Sequence, residues 1–217
     1  MGGEGDPSTG LQIIPAREPD ATSAPALVSK GKDYIAVDWV APVWDGGAGL
    51  TRYILLIKAE DDTSYRQIYA GIALEFRISA RQFPTVLREG FYYQFKVRSV
   101  NSRGLSPLSP ASLPMIAAQV PSAPQNLTLI SRSATSLRFS WEPPLDFGGV
   151  ALQGYTVYVA EENQAYEEVT SAGSASDPTI FHHEHTSADL VPGGTYRFKV
   201  SAYNLIGEGL SSQLRTG

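Results

Sequence analysis

The sequence predicts an all-β protein built from two consecutive β-sandwiches of seven strands each, and three observations lead to this prediction. A set of aromatic, Gly and Pro positions recurs about 100 residues apart. Between the turns, apolar and polar residues alternate with a period of two, which is the pattern of a half-buried strand. Gly and Pro punctuate the gaps between these segments, and no segment has the 3.6-residue apolar period of an amphipathic helix.

The repeat covers most of the chain. Its first part pairs Trp39 with Trp141, Pro42 with Pro144, Gly46-Gly47 with Gly148-Gly149, and Tyr53 with Tyr155. Its second part is the pattern L-x-x-G-x-x-Y, followed by an alternating segment, an Asn and a Gly three residues later. This part runs from Leu87 to Gly104 in the first copy and from Leu190 to Gly207 in the second. So many positions in the same order indicate a duplicated domain.

The alternating segments indicate which side chains face the core. In the segment after Tyr93, the pattern turns Phe95 and Val97 inward and Lys96 and Arg98 outward. The segments that end in Trp39 and Trp141 alternate in the same way. Residues 50–58 and 152–159 are richer in β-branched and aromatic residues and are predicted to be strands buried on both faces.

Each unit resembles a fibronectin type III domain, which implies an immunoglobulin-like sandwich. In that family a Trp of the second strand packs at the centre of the core, and the Tyr of L-x-x-G-x-x-Y bonds back to backbone near the preceding Leu. The resemblance also implies a core without a disulfide, in keeping with the absence of Cys. It gives these structural roles to Trp39, Leu87, Tyr93, Trp141, Leu190 and Tyr196.

The predicted domains are 21–117 and 118–217, preceded by a partly flexible extension, 1–20. Pro25 lies closer to its Trp than Pro124 does, so the first strand of the first domain is expected to be short, or supplied in part by residues 11–15. Pro121 and Pro124 at the junction predict a stiff connection.

The composition excludes several classes of function. All of the net charge of −5 arises after Ala118, which argues against a nucleic-acid partner because such binding needs cations at the phosphates. No apolar run is long enough for direct insertion into a membrane. Without Cys, there are no zinc–thiolate sites and no cysteine nucleophiles.

The sequence predicts no enzyme and no cofactor. His183 and His185 would share one face of a strand, which makes them a weak metal candidate, but the favoured interpretation is an edge strand with outward polar residues. A nucleophilic site would need a Ser beside a His and an orienting acid, and nothing in the sequence brings such a set together.

Loop residues are the candidates for partner binding. Trp44 has Asp146 as its counterpart in the second repeat, so the fold does not require an aromatic there. Exposed Trp is enriched among binding anchors; the alternative is that Trp44 packs against residues 11–15 or a neighbouring domain. Arg103, in the loop after the Tyr93 segment, is a second candidate. The loop sequence N-S-R-G-L is not Arg-Gly-Asp, so it gives no support to integrin binding by that motif.

Four apolar residues are predicted to stiffen the junction between the domains. Phe147, Leu205 and Ile206 lie in loops of the second repeat that face the preceding domain in tandem arrays of this family. Phe83 lies in the region of the first repeat that they are expected to contact.

The predicted function is a non-catalytic protein-binding and spacer module, cut from a larger multidomain protein that supplies neighbouring domains. A cell-surface adhesion or receptor segment is favoured, and an extracellular location with it. Asn126-Leu-Thr128 is a sequon for N-glycosylation and would fit that location. The alternatives are a segment of an intracellular cytoskeletal or scaffold array, and an accessory carbohydrate-binding or linker domain of an enzyme. Tyr65 and Tyr69 are the aromatic candidates for the carbohydrate alternative.

Overall fold

The computed structural model describes residues 15–169, 177–187, 190–191 and 193–216, without the side chains of 213–216. Fifteen strands lie in these residues, and no helix is among their elements, so the all-β prediction is confirmed. Accordingly, the described residues contain no helix with the length and hydropathy needed to cross a membrane.

Strands β1 to β8 belong to the first repeat and form two sheets. One sheet has the order β1-β2-β5, and the other has the order β4-β3-β6-β7, with β8 also paired to β6. The bounds are β1 Ala26–Lys30, β2 Tyr34–Asp38, β3 Leu50–Ala59, β4 Arg66–Gly71, β5 Glu75–Ser79, β6 Tyr92–Asn101, β7 Gly104–Leu105 and β8 Met115–Ile116.

Strands β9 to β15 belong to the second repeat and form a sheet of order β13-β10-β9 and a sheet of order β12-β11-β14-β15. The bounds are β9 Gln125–Arg132, β10 Ser136–Glu142, β11 Leu152–Glu161, β12 Glu167–Glu168, β13 His182–Thr186, β14 Tyr196–Asn204 and β15 Gly207–Thr216. Every sheet therefore takes its strands from a single repeat.

The chain divides into two compact units. The first contains Met1–Val28, Ala36–Arg77 and Tyr93–Met115, and the second contains Ser29–Ile35, Ile78–Tyr92 and Ile116–Gly217. This division assigns two segments of the first repeat to the second unit. The domain boundary at residue 117 therefore stays a prediction.

Aromatic side chains fill the core of each repeat, and the two repeated Trp residues are both buried. The Trp39 ring lies 5.9 Å from Tyr53 and 6.1 Å from Tyr69, centroid to centroid. The Trp141 ring lies 5.4 Å from Tyr155. Leu87, Tyr93, Leu190 and Tyr196 are buried as well.

The L-x-x-G-x-x-Y segment of the second repeat closes on itself through its Tyr. The Tyr196 hydroxyl accepts a hydrogen bond from the N–H of Val191 at 2.9 Å. This contact ties the turn before β14 to the start of that strand, in the geometry that the resemblance implies.

The first strand of the first repeat is short, as expected. It has five residues, whereas its counterpart β9 has eight. The residues before it run along the loop between β2 and β3: the N–H of Arg17 donates to the Gly46 carbonyl at 2.9 Å, and the N–H of Asp20 donates to the Trp44 carbonyl at 3.1 Å. Residues 11–14, a possible contribution to this strand, lie outside the described part of the chain.

The last strand of the first repeat is interrupted between β7 and β8 by residues 106–114, S-P-L-S-P-A-S-L-P. Its three serines are buried. The N–H groups of Ser106, Ser109 and Ser112 donate to carbonyls of β6 at 2.8–2.9 Å. In return, their hydroxyls accept from the N–H groups of Ser99, Val97 and Phe95 at 2.9–3.0 Å. We call this arrangement the serine ladder.

Three residues of the serine ladder lie alongside every two residues of β6, because Ser106, Ser109 and Ser112 pair with Ser99, Val97 and Phe95. Because a strand rises about 3.3 Å per residue, the segment advances only about 2.2 Å per residue. Each hydroxyl supplies the acceptor that a regular strand would supply from its backbone. It also donates to the carbonyl of the residue that follows, at 2.8–2.9 Å. The prolines are accommodated because only the serines have to pair with β6.

Candidate partner-binding surfaces

The loop end of the first repeat is organised around the buried Asn101, the last residue of β6. Its side-chain amide donates to the carbonyls of Arg17 at 2.7 Å and Asp45 at 2.8 Å. Its side-chain oxygen accepts from the N–H groups of Arg103 at 2.8 Å and Gly104 at 3.1 Å. One side chain thus joins the N-terminal segment, the β2–β3 loop and the turn after β6. Its amide group donates two hydrogen bonds and its oxygen accepts two, which satisfies the side chain.

Asn204 has the same role in the second repeat. Its amide donates to the carbonyls of Gln119 and Phe147, both at 2.8 Å. Its oxygen accepts from the N–H groups of Ile206 at 2.8 Å and Gly207 at 3.3 Å. The sequence pattern contained both Asn residues, but their role was missed. The signal was available in the repetition of an Asn at the end of an apolar strand.

Trp44 is half-buried rather than freely exposed. The Arg17 guanidinium lies over its ring, 4.2 Å from the centroid, in a cation–π contact. Trp44 therefore packs against the N-terminal segment at Arg17, two residues after Pro15. A role as partner anchor stays a prediction. Arg103 presents an exposed side chain, while its backbone N–H is held by Asn101.

The residues predicted to stiffen the junction keep different amounts of exposed surface. Phe147 is 46% exposed and Leu205 is 58% exposed, while Ile206 and Phe83 are half-buried. The N–H groups of Val86 and Leu87 donate to the Phe83 carbonyl, both at 3.0 Å, so Phe83 lies in a hydrogen-bonded turn. The junction role of these four residues stays a prediction.

Two of the three histidines in β13 point toward the core, whereas the sequence favoured outward polar residues. The His183 ring lies 5.6 Å from Phe139, and the His185 ring lies 6.4 Å from Phe198. Burial lowers the pKa of both imidazoles, and the neighbouring histidines lower that of His183 further, against an opposing effect of Glu184. The described residues contain no group of three or more His, Cys, Asp or Glu that could hold a metal ion.

These histidines predict an acid-sensitive second repeat. Because the pKa of each is lower in the folded state than in the unfolded chain, the unfolded chain binds more protons below about pH 6.5, and stability falls as the pH falls. We expect the urea midpoint of the Trp141 fluorescence transition to drop between pH 7.5 and pH 5. The matched variants His183→Leu and His185→Leu should flatten this dependence, and His182→Leu, which replaces an exposed ring, should not. A midpoint drop that is unchanged in the first two variants would contradict the prediction.

Tyr65 and Tyr69 do not form a shared aromatic platform. The Tyr69 ring lies 4.8 Å from Phe76 and 6.1 Å from Trp39, and its hydroxyl accepts from the N–H of Ala73 at 2.9 Å. The Tyr65 ring instead lies below the Lys96 ammonium, 5.0 Å from the centroid. A carbohydrate site would need aromatic faces that are free and coplanar, and these two rings are already engaged with different partners.

Asn126 of the sequon is exposed at the start of β9, with a left-handed backbone at φ 49°. Its side-chain amide donates to the Glu142 carboxylate at 2.8 Å. Asn tolerates this backbone region better than other non-Gly residues. A glycan on this side chain would compete with that contact, and glycosylation stays a prediction.

Comparison with known proteins identifies curated relatives. The chain is 33% identical over 193 residues to cardiac-type myosin-binding protein C of Gallus gallus, an overlap of 88% of this chain and 14% of the relative. It is 31% identical over 208 residues to the cardiac-type protein of Homo sapiens, with 94% and 15% covered. The chain thus spans about one seventh of the length of these relatives.

A solved two-domain fibronectin type III segment of chicken tenascin has the same fold. It aligns with a TM-score of 0.50 at 16% sequence identity, and the alignment covers 90% of this chain and 98% of the tenascin segment. The family model of the fibronectin type III domain matches residues 122–217. Residues 122–217 therefore belong to the fibronectin type III family, and the first half of the chain repeats the same key positions.

Proposed function

We propose that this chain is a non-catalytic protein-binding and spacer segment of an intracellular cytoskeletal scaffold. The observation that carries the proposal is the similarity of nearly the whole chain to myosin-binding protein C. The match spans both repeats, so the likeness extends to the tandem arrangement. The relatives favour the scaffold alternative over the cell-surface adhesion or receptor interpretation that the sequence first suggested. They favour a cytoplasmic location for the same reason.

The geometry supports a binding role rather than a catalytic one. The Asn101 and Asn204 contacts hold the loops of each repeat in place before any partner arrives, which lowers the entropic cost of association. Exposed apolar side chains, among them Val43, Leu145 and Leu205, lie in the loops next to these Asn residues. Rigid loops with apolar side chains are suited to docking a protein surface.

The test is co-sedimentation of the purified chain with myosin filaments, the partner that the names of its relatives suggest. We expect saturable pelleting with filaments and none without them. The comparison variant has both Asn101 and Asn204 changed to Ser, which removes the side-chain amide contacts that hold the loops. Weaker pelleting of this variant, with its fold verified by circular dichroism, would assign binding to the loop ends. Absence of pelleting by the unaltered chain at micromolar concentrations would contradict the proposal.

The adhesion alternative has one observation in its favour, the exposed sequon at Asn126. Mass measurement of the natively expressed protein, before and after N-glycosidase treatment, tests it. Under the scaffold proposal we expect no mass shift. A shift removed by Asn126→Gln would instead place the chain in the secretory pathway.

A further inference from the structure

One face of the first repeat concentrates basic side chains. In β3 and β6 the inward residues, such as Leu55, Ile57, Phe95 and Val97, are fully buried. The alternating pattern then places Arg52 and Lys58 of β3 and Lys96 and Arg98 of β6 on the outer face of this sheet. We call these four residues the basic face.

The basic face has no compensating acidic residues within its own sheet. Strands β3, β4, β6 and β7 contain five Lys or Arg residues and no Asp or Glu. Only Arg66 of β4 is neutralised, by Asp62 at 2.6 Å. The four residues of the basic face make no ion pair with the residues that the structure describes.

The second repeat shows that the fold does not require this charge pattern. The equivalent strands β11, β12, β14 and β15 contain three basic and four acidic residues. There, Lys199, the counterpart of Lys96, lies 4.3 Å from the Tyr158 ring centroid, and the Tyr158 hydroxyl donates to Glu208 at 2.9 Å. The sheet of the second repeat thus contains acidic residues of its own, whereas the corresponding sheet of the first repeat contains none.

The centre of the basic face is aliphatic. Ile54 lies opposite Arg98 across the β3–β6 pair, and Leu56 lies opposite Lys96. Arg52 and Lys58 are six residues apart on β3, so the face extends about 20 Å along the strand. Lys96 is further positioned by the Tyr65 ring, 5.0 Å from the ammonium.

We propose that the basic face of the first repeat docks an acidic polypeptide segment of a protein partner. Its four unpaired cations attract carboxylates, and Leu56 offers a partly exposed apolar contact between them. The proposal deepens the proposed binding function, on which it rests for the partner being a protein. Charge complementarity of this kind raises the association rate and selects the partner.

A polypeptide fits this face better than a nucleic acid. Single strands are bound through free aromatic faces that stack on bases, and the nearby Tyr65 ring is covered by Lys96. An acidic segment of a protein can place apolar side chains between its carboxylates, and such side chains can contact Leu56.

The test measures fluorescence anisotropy of a labelled poly-Glu peptide titrated with the full chain at low salt, and poly-Gln is the uncharged control. We expect poly-Glu binding that weakens at least about tenfold in the double variant Lys96→Glu/Arg98→Glu and with rising salt. Lys199→Glu, the matched change in the second repeat, should alter binding less than about twofold. If the double reversal unfolds the chain, Arg52→Gln/Lys58→Gln provides a milder test in the same face. We expect this variant to lose affinity for poly-Glu by at least about threefold, which is half of the tenfold effect on a logarithmic scale.

The proposal would be overturned by no binding of poly-Glu at low salt, by equal binding of poly-Gln, or by equal effects of the Lys96/Arg98 and Lys199 changes. Tighter binding of an oligo-dT strand or of vesicles rich in phosphatidylserine, with the same sensitivity to the reversal, would also overturn it. These results are separable from the myosin experiment. Pelleting with filaments that the reversal leaves unchanged would reject the basic face and keep the binding function. Poly-Glu binding without pelleting would keep the basic face as a site for acidic segments and reject the proposed scaffold function.

Discussion

Phe198→Ala is expected to destabilise the second repeat by about 3–5 kcal/mol. Phe198 is fully buried in the core cluster, with its ring 4.5 Å from Phe139. Its removal would leave a cavity bounded by strands of both sheets, which cannot collapse to fill it. Because small domains are stable by only about 5–15 kcal/mol, most of the stability of this repeat would be lost.

Urea denaturation followed by Trp fluorescence measures this effect. Trp141 reports the second repeat, and the other two Trp residues report the first. We expect the Trp141 transition to move to lower urea in Phe198→Ala. Leu205→Ala, which shortens a side chain that is 58% exposed, serves as the control and should change stability by less than about 0.5 kcal/mol. A loss below about 1 kcal/mol for Phe198→Ala would contradict the packing described above.

Replacing all three serines of the serine ladder by Ala is expected to cost the first repeat about 3 kcal/mol or more. Each change removes the acceptor of one buried β6 N–H, and an unsatisfied buried donor costs about 1–3 kcal/mol. The smaller Ala side chains fit without strain, so the loss would report hydrogen bonding rather than a clash. Ser109→Ala alone, which deprives the Val97 N–H of its acceptor, should cost about 1–3 kcal/mol.

The matched control is Ser102→Ala, an exposed serine in the turn after β6. It should leave the urea midpoint of the first repeat unchanged to within about 0.5 kcal/mol. Hydrogen exchange adds a local measurement, since the amide of Val97 should lose protection in Ser109→Ala. If Ser109→Ala and Ser102→Ala had equal effects, the ladder would not be a source of stability.

The parts of the fold that depend on local pattern could be predicted from the sequence. The alternation after Tyr93 and Tyr196 predicted β6 and β14 with the correct inward residues, because side chains in a strand have a period of two. The repeated Trp and Tyr positions predicted the two cores, because large aromatics dominate the burial in small sandwiches.

The serine ladder could not be predicted from these patterns. Its period is three rather than two, and its prolines argue against a strand. It becomes possible only because β6 lies alongside and exchanges hydrogen bonds with side chains. A recurrence of Ser at every third position, followed by Pro in two of the three cases, was the local signal.

The surfaces depend on contacts between residues that are distant in sequence. Lys58 and Lys96 are 38 residues apart and lie on one sheet because β3 pairs with β6, with Lys58 opposite Gln94 and Lys96 opposite Leu56. The first half of the chain contains equal numbers of basic and acidic residues. That balance concealed a sheet in whose strands every charged residue is basic. Similarly, Arg17 covers Trp44 from a segment that carries no periodic signal. Strand pairing, rather than composition, decides where such side chains meet.

The serine ladder also bears on misassembly between neighbouring domains. Linked domains of the same fold are present to each other at millimolar effective concentrations, and the free edge of a sheet is where foreign strands add. Along residues 106–114 this edge has Pro at 107, 110 and 114, which lack an N–H, and its serine N–H groups are all directed toward β6. An incoming strand would find few donors there. The segment that completes the first repeat therefore also protects it from strand exchange with its neighbours during folding.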